Sequence, residues 1–202
     1  PDFTQTWAER DVPGTKMQSM AWSPGGHIVI VGESKGIIRC YRMHDNGVEK
    51  LADIFGHTGT VDSLVWAHRG LSFVSGSNDG MTIVWRFQYN QWKPTILKLS
   101  TEELVRICGK NFLANPNTKN RYKVAMVCWS TDDSRIITSG SDFSIRVWDP
   151  VTAEQLFKLP DGHSDMPFHI LAHPIHESMI LTGGHDGCII MWDVFSGQQL
   201  RR

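Results

Sequence analysis

The 202-residue sequence contains no apolar run of about 18 residues and no charged-then-apolar leader, so nothing in it reads as a membrane span or a signal peptide. It also has little net charge. Twenty Lys and Arg face 21 Asp and Glu, a balance of -1, which gives no general attraction to nucleic acid or anionic lipid, because both need a basic excess to displace counterions. Paired cysteines are missing too. Cys40, Cys108, Cys128 and Cys188 lie far apart with no C-x-x-C pair, and two of them sit in apolar runs, which favours reduced thiols in an intracellular compartment over a disulfide framework. An initial Met is absent, and the start at Pro1 reads as a piece of something longer. What is present is 41% hydrophobic and 20% charged residues, the composition of a folded soluble domain.

The chain repeats. Four segments align on a closing aromatic residue: "VGESKGIIRCY" at Tyr41, "SGSNDGMTIVW" at Trp85, "TSGSDFSIRVW" at Trp148 and "TGGHDGCIIMW" at Trp192, spaced 44, 63 and 44 residues apart. The longer middle interval points to one insertion in a regular array. Upstream, "MAWSP" around Trp22, "LVWAH" around Trp66, "VCWST" around Trp129 and "LAHPI" around Ala172 recur in step.

Each unit alternates short apolar runs with turn signals such as Asp-Gly and Ser-Pro-Gly-Gly, the pattern of antiparallel strands joined by tight hairpins. A more polar fourth strand follows ("EKLADIF", "QWKPTILKL", "EQLFKL", "QQLRR"). Inner strands such as "HIVIVG" and "CIIMW" are apolar at consecutive positions, as expected when sheets stack radially and both faces are buried. The reading is all-β. Residues 1–12 are an orphan outer strand, 13–56 a first blade and 57–99 a second. Residues 100–123 are a basic insertion, 124–161 a third blade and 162–202 a fourth.

Gly56-His57 with Trp85, and Gly162-His163 with Trp192-Asp193, make the units resemble WD repeats. The resemblance implies a partial β-propeller of about four WD-type four-stranded blades. It also implies a hydrogen-bonded set of His, Ser or Thr, Asp and Trp in each blade. By register these are His57, Ser75, Asp79 and Trp85 in the second unit, and His163, Thr182, Asp186 and Trp192 in the fourth. The third keeps Thr138, Asp142 and Trp148 but has Asn120 in place of His. The first has Pro13, Val31, Lys35 and Tyr41 and has lost the set.

A His, a hydroxyl and an Asp together suggest nucleophilic catalysis. Their duplication at one repeat spacing favours a structural role, since an enzyme has little use for two successive triads. "GESKG" at residues 32–36 fits a nucleophile elbow, but a strand follows where that motif needs a helix, so Ser34 belongs to a hairpin. His173 and His176 in "HPIH", near His163, His169 and His185, raise a metal site. Pro174 breaks helical spacing and His163 is already assigned, so a solvated turn is preferred. No cofactor, metal or small-molecule substrate is expected, and no catalysis. Phe143 replaces the hairpin glycine of the other units (Gly36, Gly80, Gly187), which predicts a different turn there, with the ring packed locally or exposed as a contact.

The insertion opens with Ser100 three residues before Glu103, a capping-box pattern that predicts a short helix. Residues 92–123 hold seven basic side chains against Glu102 and Glu103. Arg106, Lys110, Lys119 and Arg121 are candidate contacts for an acidic peptide, a phosphate or nucleic acid, the alternative being a solvated loop. Asn78, Phe143 and His185 are further candidates at hairpin tips, and His185 reads as free and pointing outward. Cys188 reads as the start of a buried strand.

"VDSLVWAHRGLSFVSGSNDGMTIVWRF", "VPGTKMQSMAWS", "QWKPTIL" and "LTGGHDGCIIMWDVFSGQQL" resemble the N-terminal WD-repeat region of bromodomain and WD-repeat proteins. That resemblance implies a nuclear, chromatin-associated transcription regulator, with the cytoplasm as a second location. It further implies a substrate receptor of a cullin-RING ubiquitin ligase, with histones or the ligase adaptor as partners. "WDPV" at Trp148 and "WDVF" at Trp192 lack the Arg of the W-D-x-R adaptor motif, which puts docking through these blades in doubt. Four blades fall short of a closed ring, so the chain reads as half of a larger propeller with open apolar ends. The readings carried forward are an interaction scaffold or, alternatively, a nucleic-acid or nucleosome contact module using the insertion.

Overall fold

The computed structural model describes residues 14–109, 122–160 and 162–202. The segment 1–12, Pro13, Lys110, Lys119, Asn120 and Arg121 lie outside the described residues. Four antiparallel four-stranded sheets follow one another along the chain, each with its strands in sequence order. The first holds β1 (Met17–Trp22), β2 (Ile28–Glu33), β3 (Ile38–His44) and β4 (Gly47–Ile54). The second holds β5 (Val61–Trp66), β6 (Ser72–Ser77), β7 (Thr82–Gln88) and β8 (Gln91–Leu97). The third holds β9 (Val124–Trp129), β10 (Ile136–Gly140), β11 (Ile145–Trp148) and β12 (Gln155–Lys158). The fourth holds β13 (Pro167–Ala172), β14 (Met179–Gly184), β15 (Ile189–Asp193) and β16 (Gln198–Arg201). Helix α1 (Thr101–Cys108) sits between β8 and β9. It starts where Ser100 Oγ accepts the Glu103 amide at 3.2 Å, and it lays Leu104 and Ile107 on the neighbouring core.

The sheets stack face to face, with β1 beside β5, β5 beside β9 and β9 beside β13. Each junction is an apolar layer shared by two sheets, for example Ile30 and Ile38 against Leu64, Phe73 and Trp85. Polar bonds between sheets recur at fixed register. Trp66 Nε1 donates to the Ala21 carbonyl at 3.2 Å, and Trp129 Nε1 donates to Val65 at 3.3 Å. Just past the same strand ends, the His68 and Arg69 amides both donate to the Asp133 carboxylate at 2.8 Å.

Burial follows the stacking. Strand β10, covered on both faces, is buried throughout. The fourth sheet departs from the expectation of two buried faces: β15 alternates, with Ile190 and Trp192 buried and Ile189 68% exposed. Cys188 precedes that strand and is only half-buried. The cause is that one face of this sheet has no neighbour among the described residues. The same holds at the other end, where Trp22, at the register of Trp66 and Trp129, is 56% exposed.

The third hairpin is another departure. It is not a different turn. Phe143 has φ 64 where Gly36 has 85, Gly80 has 86 and Gly187 has 74. The Phe143 amide donates to the Gly140 carbonyl at 2.9 Å, as Gly80 does to Ser77 at 3.1 Å. The hairpin geometry is held, so a side chain is carried in the left-handed region at a cost of about 1 to 2 kcal/mol. At Gly80 space also requires glycine, since a Cβ there would lie 2.6 Å from the Tyr122 carbonyl oxygen, whereas at Gly187 nothing lies within 4 Å.

Candidate functional site

The β2–β3, β6–β7, β10–β11 and β14–β15 hairpins project from the same end of the stack. Each is bonded to the segment leading into its own sheet. Asn78 N donates to Thr60 O at 3.0 Å, Ser141 N to Lys123 O at 2.9 Å and His185 N to Met166 O at 3.0 Å. What holds these loops differs between sheets, and the difference follows the side chains.

In the second sheet His57 bridges loop and strand. Its Nδ1 is 3.0 Å from Asp79 Oδ2 and its Nε2 is 2.7 Å from Ser75 Oγ, which also accepts from Trp85 Nε1 at 2.9 Å. Nδ1 faces the carboxylate, so its N–H donates there and the ring joins the two side chains. Asp79 additionally accepts the Thr58 and Met81 amides at 2.8 and 2.9 Å. Burial alone would raise its carboxyl, but the His57 hydrogen bond and charge and these amides outweigh it and hold it low. The fourth sheet repeats the arrangement. His163 Nδ1 is 3.0 Å from Asp186 Oδ1, Nε2 is 2.8 Å from Thr182 Oγ1, and Trp192 Nε1 donates to Thr182 at 2.8 Å. The His163 bond keeps Asp186 at about 2.

These are not open nucleophiles. Ser75 is fully buried and Thr182 is 1% exposed, with each oxygen already engaged by an indole. The arrangement ties the segment before each sheet to that sheet's hairpin, and buried hydrogen bonds of this kind contribute about 0.5 to 1.5 kcal/mol each. Ser34 lies in the β2–β3 hairpin, where its Oγ accepts the Lys16 amide at 3.0 Å. His173 Nδ1 accepts the Ile175 and His176 amides at 3.1 and 3.0 Å, and so caps its own turn.

The third sheet retains Trp148 Nε1 to Thr138 Oγ1 at 2.9 Å. Its Asp142 is taken by Arg146 instead, with Nη2 to Oδ2 at 2.7 Å and Nη1 to Oδ1 at 3.1 Å. Arg146 Nη1 also donates to the Tyr122 hydroxyl at 3.0 Å, its guanidinium lies 5.1 Å from the centre of that ring, and Glu103 of α1 is 3.6 Å from Nη2. Burial would raise Asp142, but hydrogen bonds from Arg146 and Ser144 and the charges of Arg146 and Lys158 hold it at about 2. Burial pushes the Tyr122 hydroxyl up, so it stays protonated.

The first sheet has not simply lost its lock. Arg39 Nε lies 2.7 Å from Glu33 Oε1, and both side chains are buried. The signal was present in the sequence: "IIRCY" and "SIRVW" place an Arg two residues before the closing aromatic in the two units without the histidine. The histidine units have Ile83 and Ile190 at that position.

Among the candidate contacts, Arg106 is exposed on α1, Asn78 is half-buried over Gly59, and Phe143 is 41% exposed. His185 is exposed but not free, because its ring stacks on Phe168 with centroids 4.1 Å apart. Lys110, Lys119 and Arg121 lie outside the described residues, so of the seven basic side chains over 92–123 the structure places Lys93, Lys98, Arg106 and Lys123.

The family described as WD domain, G-beta repeat matches residues 48–86, 117–149 and 154–193, together more than half of the chain. Protein HIR1 of Cryptococcus neoformans var. neoformans is 28% identical over 114 residues, covering 54% of this chain and 12% of the relative. Anaphase-promoting complex subunit cdh1 of Dictyostelium discoideum is 24% identical over 143 residues, covering 70% of this chain and 16% of the relative. The chain therefore spans less than a fifth of the curated relatives it matches. A chain of the solved structure described as Crystal Structure of Mitotic Checkpoint Complex superposes with a TM-score of 0.75 at 21% identity, over 96% of this chain and 52% of that one. At that identity the likeness concerns the fold. Four stacked antiparallel sheets among the described residues, three of them closed by a Trp-centred bond, and the family match over more than half of the chain make it a member of the WD domain, G-beta repeat family.

Proposed function

We propose that the chain is a non-catalytic protein-interaction scaffold that presents its hairpin end, with Arg106, Asn78, Phe143 and His185, to other proteins, and that Lys110, Lys119 and Arg121, outside the described residues, add to the same contact. The observation that carries this reading is Phe143. Its ring is held outward in a costly backbone conformation at a position that elsewhere takes glycine, and no ring contact in the described residues accounts for it. The finer setting is a chromatin-associated transcription regulator in the nucleus, acting also as a substrate receptor of a ubiquitin ligase, with histones or a cullin adaptor among its partners. The likeness to HIR1 and to a subunit of the anaphase-promoting complex supports that setting, as does the resemblance to bromodomain and WD-repeat proteins. The exposed Trp22 and Ile189 faces support the further reading that blades of the same kind cover both ends of the stack.

The basic insertion favours a second reading, contact with nucleic acid or a nucleosome. Salt dependence separates the two, since phosphate contacts release counterions and weaken steeply with salt. Affinity purification of the full-length protein at low and high salt is the test. A partner set of proteins stable to salt supports the scaffold reading, and recovery of nucleic acid lost steeply with salt supports the second.

A further inference from the structure

Away from the hairpin end, on the circumference, the first and second sheets diverge around a cleft of about 610 Å³, within the range of ligand sites, roughly 300–1,000 Å³. One wall is aromatic. Trp92 packs edge-on against Phe73 and at a tilt against Phe87, with centroids 4.9 and 5.2 Å apart, so the three rings form one continuous wall. Leu71 at 50% and Phe87 at 37% exposure extend it outward, and Phe55, 70% exposed, faces them from the first sheet.

The cleft exists because one repeat position behaves differently in two sheets. Arg42 and Arg86 both follow the closing aromatic. Arg86 crosses to the next sheet and donates to the Pro150 carbonyl, while its other nitrogen holds Thr95 at 3.1 Å. Arg42 turns back to Glu49 of its own sheet at 3.2 Å, in a pair that is about half exposed on both sides. The gap between the first two sheets therefore stays open, with a guanidinium at its edge. Exposed pairs of this kind contribute little, so an incoming carboxylate can take Arg42 over. Asp53, the acidic lining residue of the cleft among the described residues, is held by Lys50 at 2.9 Å with Arg39 at 3.7 Å. The charge open to a ligand is positive.

We propose that this cleft docks an extended peptide segment of another protein that carries a large aliphatic or aromatic side chain beside an acidic residue. The apolar side chain lies against Phe87, Trp92 and Leu71, and the carboxylate pairs with Arg42. A trough running between two outer strands suits an extended chain, and aromatic anchors are where interfaces concentrate their affinity.

Fluorescence polarisation tests this with three labelled eight-residue probes: one with a leucine and a tryptophan followed by two aspartates, one with lysines for the aspartates, and one with serines for the leucine and tryptophan. The full chain is expected to bind the first and to discriminate against the others by about tenfold or more. Arg42→Glu reverses the preference between the acidic and lysine probes, and Phe87→Ser weakens the acidic one by about tenfold. Arg42 is exposed, so its variant should unfold at an unchanged temperature; Phe87→Ser gives up the ring contact with Trp92, so its unfolding midpoint should drop while the transition stays cooperative, which shows that the variant is folded. Absence of binding, equal binding of the acidic and lysine probes, or binding indifferent to both substitutions overturns the proposal. So does self-association abolished by Phe87→Ser, which would mark the cleft as a contact between copies.

Discussion

Arg146 and Asp142 form a two-pronged ion pair inside the third sheet, with Nη2–Oδ2 2.7 Å apart and the arginine side chain fully buried. The pair stands where the second and fourth sheets use histidine, and it reaches one element further. Through Glu103 it draws helix α1 onto the sheet, so the insertion is positioned by the same group that locks the hairpin.

Replacing Arg146 by Met strips Asp142 of its two-pronged partner, leaving it only the half-exposed Lys158 at 3.5 Å, and removes the guanidinium that faces Glu103. Breaking one side of a buried pair costs about 3 to 5 kcal/mol. The midpoint of urea unfolding should fall accordingly, and amide exchange in residues 101–108 should accelerate. Arg146→Lys recovers only part of the loss, because an ammonium cannot hold both carboxylate oxygens in the same fork.

Ser75→Ala removes the one oxygen shared by His57 and Trp85 and orphans a buried group on each. At about 1 to 3 kcal/mol per unsatisfied group, the expected loss is roughly 2 to 6 kcal/mol. Ser75→Thr places in the second sheet the residue that Thr138 and Thr182 supply in the others, and should retain most of the stability. Urea titration of the two variants checks both expectations.

Asp142 and Asp186 sit at about 2 in the folded chain against 3.8 for the free carboxyl. A depressed folded value means that the unfolded chain takes up protons first as pH drops. The contribution of these carboxylates is fully present above about pH 4 and is lost as pH falls through about 2. Unfolding free energy measured between pH 5 and pH 2 should decline across that window, and Asp142→Asn should flatten the decline while lowering stability at neutral pH.

Phe143→Gly relieves a left-handed side chain and should stabilise the fold by up to about 1 kcal/mol. The same change removes an exposed ring. A rise in melting temperature together with weaker partner retention is the outcome expected of a residue kept for contact.

The repeat was readable because Tyr41 and Trp85, and Trp148 and Trp192, recur at the same 44-residue interval on either side of one insertion, and the hairpin turn signals fall in phase. Those signals fix strands, hairpins and their order locally. The histidine sets were readable for the same reason. The arginine locks were missed because Arg39 and Arg146 sit inside apolar runs, where pattern reading attends to the apolar neighbours, and their acceptors, Glu33 and Asp142, occupy different hairpin positions. Phe143 misled because the turn was inferred from the residue, whereas the pairing of β10 with β11 imposes the turn and the residue bears the strain. The side cleft has no local signature. It arises from where two equivalent arginines point, and that depends on the Pro150 carbonyl in the next sheet.

The central claim is that the hairpin end presents side chains kept for partners. It is tested most directly by measuring folding and partner retention in the same variant, with Arg106, Lys110, Lys119 and Arg121 changed to Glu and Phe143 to Ser. The account predicts an unchanged or slightly raised melting temperature and loss of the proteins that co-purify with the unaltered full-length chain. Retention of the same proteins at the same levels by a folded variant would contradict it.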